Sequence, residues 1–317
     1  MAHTKLTNLT VVKEFILLGL SDHPGQNPVL FFLFLAMYLI TLGGNSSIST
    51  IIVADSQLHT PMYFFLFNLS VLDMCLTTVL LPKMLSNLLI NKKTIPFYDC
   101  ITQLYFFAFF ATTEVFLLAV MAIDRYVAIC RPLHYTTLMS TKVCTILTAS
   151  SWIVSCLHSV LYSVLISNFT YCGPNQIQQF FCDVPPLLML SCSDTSSYEL
   201  LILTESSFIL LVTLMSVVVS YMCIIYTILK MQTKEGRQRT FSTCSSHLIV
   251  VTLYYGTVLF NYIRPTSSYS LQKDKVMTVI YTAVTPMINP FIYCLRNTQV
   301  KEALRRVMSR YILQSTM

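Results

Sequence analysis

The sequence predicts an all-α membrane protein, a bundle of seven transmembrane helices followed by a short amphipathic C-terminal helix. Hydrophobic residues make up 55% of the 317 residues and charged residues only 11%, whereas about a quarter of the residues in soluble domains are charged. Seven apolar segments are each long enough to cross a bilayer, for which about 20 residues suffice. They cover residues 28–53, 60–87, 98–130, 141–166, 197–230, 240–262 and 273–295.

Basic residues predict how the bundle sits in the membrane. The connections after the third and fifth spans are basic, as is the tail, so the positive-inside rule places them in the cytoplasm. We therefore expect an extracellular N-terminus at 1–27, a seven-helix domain at 28–295 and a cytoplasmic tail with an amphipathic helix at 296–317. This topology explains the net charge of +6 without a nucleic-acid partner. The basic residues are Arg131, Lys142, Lys230, Lys234, Arg237, Arg239, Arg296, Lys301, Arg305, Arg306 and Arg310.

Four of the eleven cysteines lie in segments that this topology places outside the cell, where disulfides persist. Cys100, Cys172, Cys182 and Cys192 allow three pairings, and their spacing does not choose among them. The N-terminus also contains a glycosylation acceptor pattern at Asn8. We expect outer disulfides and a glycan at Asn8.

Two carboxylates lie several turns inside apolar spans, where charged groups are costly and usually functional. Asp73 is in the second span and Glu114 in the third. If these helices are neighbours, the two side chains can face each other in the bundle interior. They then form either a cation or proton site or a hydrogen-bonded packing pair.

Two further polar residues lie inside later spans. Glu205 either contacts a cationic ligand or is capped by nearby serines and faces the bundle, and the sequence does not decide between these two hypotheses. His247 is expected to form a hydrogen bond between helices, because no pair of cysteines or histidines at helical metal-ligand spacing accompanies it. No nucleophile, base and metal set stands at one depth, so we expect no catalytic residues and no enzyme.

Two motifs are typical of moving parts. Asp124, Arg125 and Tyr126 end the third span, where an arginine can hold neighbouring helix ends closed or reach into a partner. Asn289 and Pro290 lie within the seventh span, where a proline removes one backbone hydrogen bond and kinks the helix.

Aromatic residues fill the outer halves of the third and sixth spans, and small residues lie between them. A mostly apolar cavity with a few hydroxyls suits a small, uncharged, lipophilic ligand. The interleaved small residues are Ala108, Ala111, Thr112, Gly256 and Thr257.

These features match a family pattern along nearly the whole chain. The general features are Gly44-Asn45, Asp73, Asp124-Arg125-Tyr126, Trp152 and Asn289-Pro290. The narrower motifs are LHTPMY at 58–63, MAIDRYVAIC at 121–130, FSTCSSHL at 241–248 and PMINPFIY at 286–293. The chain therefore resembles the odorant (olfactory) receptors among the rhodopsin-like, class A G-protein-coupled receptors. The spacing of the cysteines in its second outer loop is similar to that of the class II, tetrapod-type branch.

The resemblance implies how several of these residues are used. Cys100 would pair with Cys182 and Cys172 with Cys192, and Asp73 and Glu114 would form a sodium-type site, with no other cofactor. The chain would lie in the plasma membrane, bind a volatile odorant and activate the stimulatory olfactory G protein, which raises cyclic AMP in sensory transduction. The residues implied in coupling and activation are Asp124, Arg125, Tyr126, Tyr221, His247, Asn289, Pro290 and Tyr293.

The resemblance also implies a ligand pocket formed by the third, fifth, sixth and seventh spans. Its residues would be Leu104, Phe107, Ala108, Ala111, Thr112, Ile202, Glu205, Ser206, Ile209, Tyr255, Val258, Leu259, Tyr262, Val279 and Thr282.

Other functions find less support. An amine receptor of this kind would need an acid near residues 104–108, which read LYFFA, and an opsin would need a lysine in 276–295, which has none. A channel or transporter would need a continuous polar path, and two carboxylates do not make one. Ion flux without ligand in reconstituted vesicles would be required to revive that reading.

Overall fold

The computed structural model describes residues 12–20, 24–90, 93–172, 175–262, 271–296 and 298–315, and leaves undescribed the side chains at 239, 242–243, 261–262, 271–273, 294–296, 298, 308 and 310–315. The predicted glycosylation site at Asn8 lies outside the described residues. The helices are α1 (Asn27–Ala54), α2 (Pro61–Leu89), α3 (Phe97–Cys130), α4 (Tyr135–Leu138), α5 (Thr141–Ser167), α6 (Val184–Met189), α7 (Ser196–Lys230), α8 (Lys234–Tyr262), α9 (Leu271–Val279), α10 (Thr285–Arg296) and α11 (Thr298–Ser315).

The seven predicted spans all coincide with helices. Among the described residues, α1, α2, α3, α5, α7 and the stretch Asp274–Tyr293 are long and apolar enough to cross a membrane, and α8 contains the shorter apolar helix Cys244–Phe260. The all-α, seven-helix prediction is thus confirmed. The helix of the sixth span, α8, begins at Lys234, whereas the predicted span begins at residue 240. The first turns carry charged residues, so hydropathy does not detect them.

The third helix is the centre of the bundle. It packs against α2, α5, α7 and α8, while α10 packs against α1, α2 and α8. Small residues permit the close approach of α5, since serines recur at every fourth residue and are all buried. These are Ser151, Ser155, Ser159 and Ser163.

The seventh membrane span, which we call the seventh helix, consists of α9 and α10 with an interruption between them. A π-helical turn at Ile280–Val284 joins them, and the Thr285 hydroxyl donates to the carbonyl of Ile280 at 3.0 Å. Further along, Pro290 lies so close to Gly44 of α1 that a Cβ at position 44 would be 3.0 Å from the proline ring. The pair Gly44-Asn45 therefore allows contact between the first and seventh helices.

A small sheet covers one end of the bundle, which we call the sheet end. Strand β1 (Glu14–Leu17) pairs antiparallel with β2 (Thr94–Pro96) and parallel with β3 (Gln176–Ile177). Phe15 and Leu17 of β1 are fully buried beneath it. This sheet was not predicted from the sequence. It joins the N-terminal segment to two loops of the bundle.

The amphipathic tail helix α11 packs at the opposite end, which we call the tail end. Its apolar face is buried through Val300, Ala303 and Val307. Arg306 is half-buried, because its guanidinium binds Asp55 in the turn between α1 and α2, with Nε 2.9 Å from Oδ2. The amphipathic helix is thus also anchored to the bundle by a partly buried ion pair.

Replacing Arg306 with alanine is expected to destabilise the receptor. The buried Asp55 carboxylate would lose its guanidinium, and charged hydrogen bonds of this kind contribute about 1.5–3 kcal/mol. Thermal unfolding of the purified chain in detergent measures the change. Arg305→Ala removes an exposed arginine from the same helix and should leave the unfolding temperature unchanged; equal effects of the two variants would contradict the anchoring role.

Candidate functional site

The sheet end of the bundle is closed by a loop that two disulfides and one amide hold in place. Cys100 is bonded to Cys182 and Cys172 to Cys192, with Cα–Cα separations of 5.5 and 5.9 Å, which are the pairings that the resemblance implies. Gln103 of α3 accepts a hydrogen bond from the backbone N–H of Cys182 at 3.0 Å. Its own Nε2 donates to the carbonyl of Val79 at 3.1 Å, so one side chain joins α2, α3 and the loop.

This loop inserts aromatic side chains into the bundle. Phe181 is fully buried, and its ring centroid is 4.8 Å from that of Phe107 on α3. The Phe107 ring lies 6.1 Å from Tyr281 in the π-helical turn. The loop, the third helix and the seventh helix therefore meet at one aromatic contact.

The predicted ligand residues are divided among three apolar clusters. Leu104 belongs to a sheet-end cluster built around Phe15 and Cys182, with Ile202 at its edge. A side cluster between α1, α2 and the seventh helix contains Phe107, Ala111 and Val279. A large inner cluster contains Tyr255, with Ile209, Val258 and Leu259 packed against it.

The other predicted ligand residues differ in exposure. Ala108, Thr112, Glu205 and Ser206 are half-buried. Thr282 is fully buried, and its hydroxyl donates to the carbonyl of Thr278 within its own helix. The side chain of Tyr262 lies outside the described part of the chain.

A separate small cleft lies at the sheet end. None of the predicted ligand residues lines it. The N-terminal segment and the C-terminal end of α2 form most of its wall, which comprises Leu17, Leu18, Gly19, Leu20, Asn27, Met84, Asn87, Leu88, Lys93 and Phe180.

Glu205 of α7 is held by side chains from α5. The Nε2 atom of His158 is 3.1 Å from Glu205 Oε2, and the Tyr162 hydroxyl donates to the same oxygen. Ser206 is 3.1 Å from the Tyr162 hydroxyl. The Glu205 carboxylate is thus capped by His158 and Tyr162 of α5, whereas the sequence suggested capping by serines. About a third of the side chain, 37%, stays exposed, so contact with a ligand remains open.

A buried polar group lies deeper in the bundle. Asp73 accepts two hydrogen bonds from Nδ2 of Asn289, at 3.0 and 3.2 Å, and Asp73 and Glu114 are close enough for their charges to interact. Asn45 of α1 donates to the carbonyl of Pro286 at 3.2 Å. The sequence-predicted pair Asp73 and Glu114 is therefore brought together, and Asn289 joins it.

Hydrogen bonds fasten α8 to its neighbours. The hydroxyls of Tyr254 and Tyr255 donate to the carbonyls of Ala111 and Val115 on α3, at 2.8 and 3.3 Å. About two turns closer to the start of α8, the Tyr221 hydroxyl of α7 is 2.7 Å from Nδ1 of His247, and the two rings stack. His247 is thus an interhelical hydrogen-bonding residue, as predicted.

At the tail end, Arg125 is paired with its neighbour. Its guanidinium donates to Asp124, with Nε 3.0 Å from Oδ2, and the Tyr135 hydroxyl of α4 donates to the other carboxylate oxygen at 2.8 Å. Burial and the charge of Asp124 raise the pKa of the Tyr135 phenol above its ordinary value, so this donor stays protonated.

Sequence reasoning missed several residues of this interior. His158 could have been found by the argument that singled out His247, because it too is a lone histidine inside an apolar span. Gln103, Tyr135 and Tyr162 carry no comparable signal, since their roles depend on a partner from another helix.

A seven-helix bundle with a looped cap, an interior polar group and an arginine paired at the tail end defines a membrane receptor of the G-protein-coupled class. Residues 34–311 match the family model described as olfactory receptor. The chain belongs to the olfactory receptor family, and it is not an enzyme.

Individual relatives agree along nearly their full lengths. The chain is 48% identical to olfactory receptor 5AP2 of Mus musculus over 306 residues, which cover 96% of both chains. It is also 48% identical to olfactory receptor 1F1 of Homo sapiens, over 96% of this chain and 98% of that one. Olfactory receptor 1M1 of Mus musculus is 48% identical over 98% of this chain and 99% of its own length.

Proposed function

We propose that the chain binds small, neutral, lipophilic volatile molecules between α3, α7, α8 and the seventh helix, and activates the stimulatory olfactory G protein to raise cyclic AMP. One observation carries the proposal: separate interhelical hydrogen bonds lie at the level of the proposed pocket and deeper in the bundle, and a buried ion pair lies at the tail end. Tyr255 binds α3 beside the pocket residues, Tyr221 binds His247, and Arg125 is paired with Asp124.

The proposed orientation puts the sheet end outside the cell and the tail end in the cytoplasm of the plasma membrane. The basic connections and the basic tail support it through the positive-inside rule. The disulfides lie at the sheet end, which suits an oxidising exterior.

The proposed mechanism is a population shift. A ligand that binds more tightly to an arrangement with α8 displaced outward at the tail end favours that arrangement, and only this difference in affinity drives the change. The bonds from Tyr254 and Tyr255 to α3 hold α8 in the present arrangement. A ligand between α3 and α8 lies where it can weaken them.

Cyclic AMP in cells that express the chain with the olfactory G protein tests this function. A panel of volatile alcohols, aldehydes, ketones, acids and amines is applied, with an inhibitory G protein and untransfected cells as controls. A concentration-dependent rise that requires both the chain and the stimulatory G protein is expected. A response carried only by the inhibitory protein would contradict the proposed coupling.

We further propose a sodium ion at Asp73 and Glu114. The residues fit a cation, because Oε1 of Glu114 and Oδ1 of Asn289 are buried oxygens with no hydrogen-bond partner in the described part of the chain. Two carboxylates and an amide oxygen are hard donors of the kind that such an ion prefers. A bound ion would offset the repulsion between the carboxylates.

Glu114→Gln is expected to remove the effect of sodium on ligand potency. The wild-type receptor should require more agonist in sodium chloride than in an equal concentration of N-methylglucamine chloride, since the ion favours one arrangement over the other. The measurement is the half-maximal agonist concentration in both salts. Asp99→Asn, which alters an exposed acid at the start of α3, should keep the difference. A sodium effect that persists in Glu114→Gln would refute the site.

A further inference from the structure

We propose that Glu205 selects ligands that carry a hydrogen-bond donor at one end of an apolar body. The inference rests on the proposed function, because it names the chemistry recognised by one part of the proposed pocket. It concerns Glu205 together with His158 and Tyr162, which no sequence motif brings together.

The first step is the state of the carboxylate. Oε2 of Glu205 accepts from both His158 and Tyr162, and no hydrogen bond reaches Oε1 from the residues that the structure describes. The carboxylate therefore has one engaged oxygen and one that remains able to accept.

The second step is the rigidity of the support. Tyr162 is buried, and its ring centroid lies 4.4 Å from that of His158, so the two donors brace each other. Ser206 donates in turn to the Tyr162 oxygen. The carboxylate is held from α5 and α7 together, which fixes the position of the open oxygen in advance of any ligand.

The third step is the direction that Glu205 faces. Exposed apolar residues mark the lipid-facing side of this part of α7, and they include Leu203 and Phe208. Glu205 lies on the half-buried side with Ile202 and Ile209, which pack against the sheet-end and inner clusters. Glu205 thus lies on the same side of α7 as residues of two apolar clusters, which would contact the apolar body of a ligand.

The chemistry of selection follows from the acceptor. A hydroxyl or an ammonium group donates to Oε1, whereas a ketone or an ether presents only acceptors and would leave two oxygens facing each other. A mismatch of this kind is expected to lower the affinity roughly 10-fold to 100-fold, which corresponds to about 1.4–2.8 kcal/mol. His158 and Tyr162 already donate to Oε2 of the carboxylate, so a neutral hydroxyl that donates to Oε1 satisfies the remaining oxygen.

The experiment compares ligands of one carbon skeleton on the full-length receptor. Primary alcohols, methyl ketones, methyl ethers and primary amines of equal chain length are tested for cyclic AMP in cells and for thermal stabilisation of the purified receptor. Alcohols are expected to be at least about 10-fold more potent than ketones and ethers. Glu205→Gln should remove this preference, because an amide donates to a carbonyl as well as accepting from a hydroxyl.

Glu199→Gln is the matched control, since it alters an exposed acid two turns earlier on the same helix and should keep the preference. Equal potency of alcohols and ketones on the wild-type receptor, or a preference that survives in Glu205→Gln, would overturn the inference. So would a receptor that none of the ligands activates or stabilises.

Two outcomes separate this inference from the proposed function. Stabilisation by alcohols that depends on Glu205 but produces no cyclic AMP would sustain the donor selection and overturn the proposed coupling. Amines that act more strongly than alcohols and fail on Glu205→Gln would sustain Glu205 as the anchor and overturn the neutral ligand class.

Discussion

Replacing Cys100 with serine is expected to abolish delivery of the receptor to the cell surface. Both sulfur-bearing residues of the Cys100–Cys182 bond are fully buried, and the bond spans 82 positions of the chain. Loss of such a disulfide typically costs about 2–5 kcal/mol. It would also release the loop that Gln103 and the Phe107–Phe181 contact hold over the bundle.

Surface staining of intact cells with an antibody to an N-terminal tag measures this effect against total expression. Cys75→Ser is the matched control, because it removes a half-buried cysteine of α2 that forms no disulfide. Normal surface delivery of Cys100→Ser would count against a structural role for the bond.

Arg125→Ala is expected to abolish ligand-driven cyclic AMP while the receptor still reaches the surface. The guanidinium is nearly buried and is paired with Asp124, at the end of α3 where a bound partner would reach it. Arg125→Ala removes the cation from the group formed by Arg125, Asp124 and Tyr135. Asp124 keeps the Tyr135 hydrogen bond, so α4 remains attached. The buried Asp124 carboxylate nevertheless loses its guanidinium, so a lower stability is expected as well, and signalling is therefore compared at matched surface expression.

The measurement is maximal cyclic AMP at matched surface expression. Arg131→Ala, at an exposed arginine just beyond α3, should respond like the wild type. Arg125→Lys retains a charge but lacks the planar fork of donors, so we expect a partial loss. A normal response of Arg125→Ala would eliminate the assigned role.

The spans were predictable because each one satisfies a local rule. A helix in a bilayer must be apolar over its own length, so α1, α2, α3, α5 and α7 can be read directly from composition. The sheet could not be predicted in this way. Strand β1 has four residues, and its partners lie some 80 and 160 positions away, so its pairing depends on the finished bundle.

The interior was predictable only in part. Asp73 and Glu114 stand out because any charge in an apolar span is unusual, and their neighbourhood follows from the packing of α2 on α3. The partners of Glu205 were not found, because nothing in the sequence states which face of α5 meets α7. The ion pair of Arg306 was missed for a related reason: an amphipathic pattern separates polar from apolar faces but does not identify a buried acid in a distant turn.

The three-stranded sheet sets an order on the assembly of the chain. Its middle strand is made first, yet its two neighbours precede α3 and follow α5, so the second of them emerges only after the fourth span has been synthesised. Until then Phe15 and Leu17 have no complete burial site. During this interval the N-terminal segment has two apolar side chains without their burial site, and exposed apolar surface of this kind is where a chaperone binds or aggregation begins.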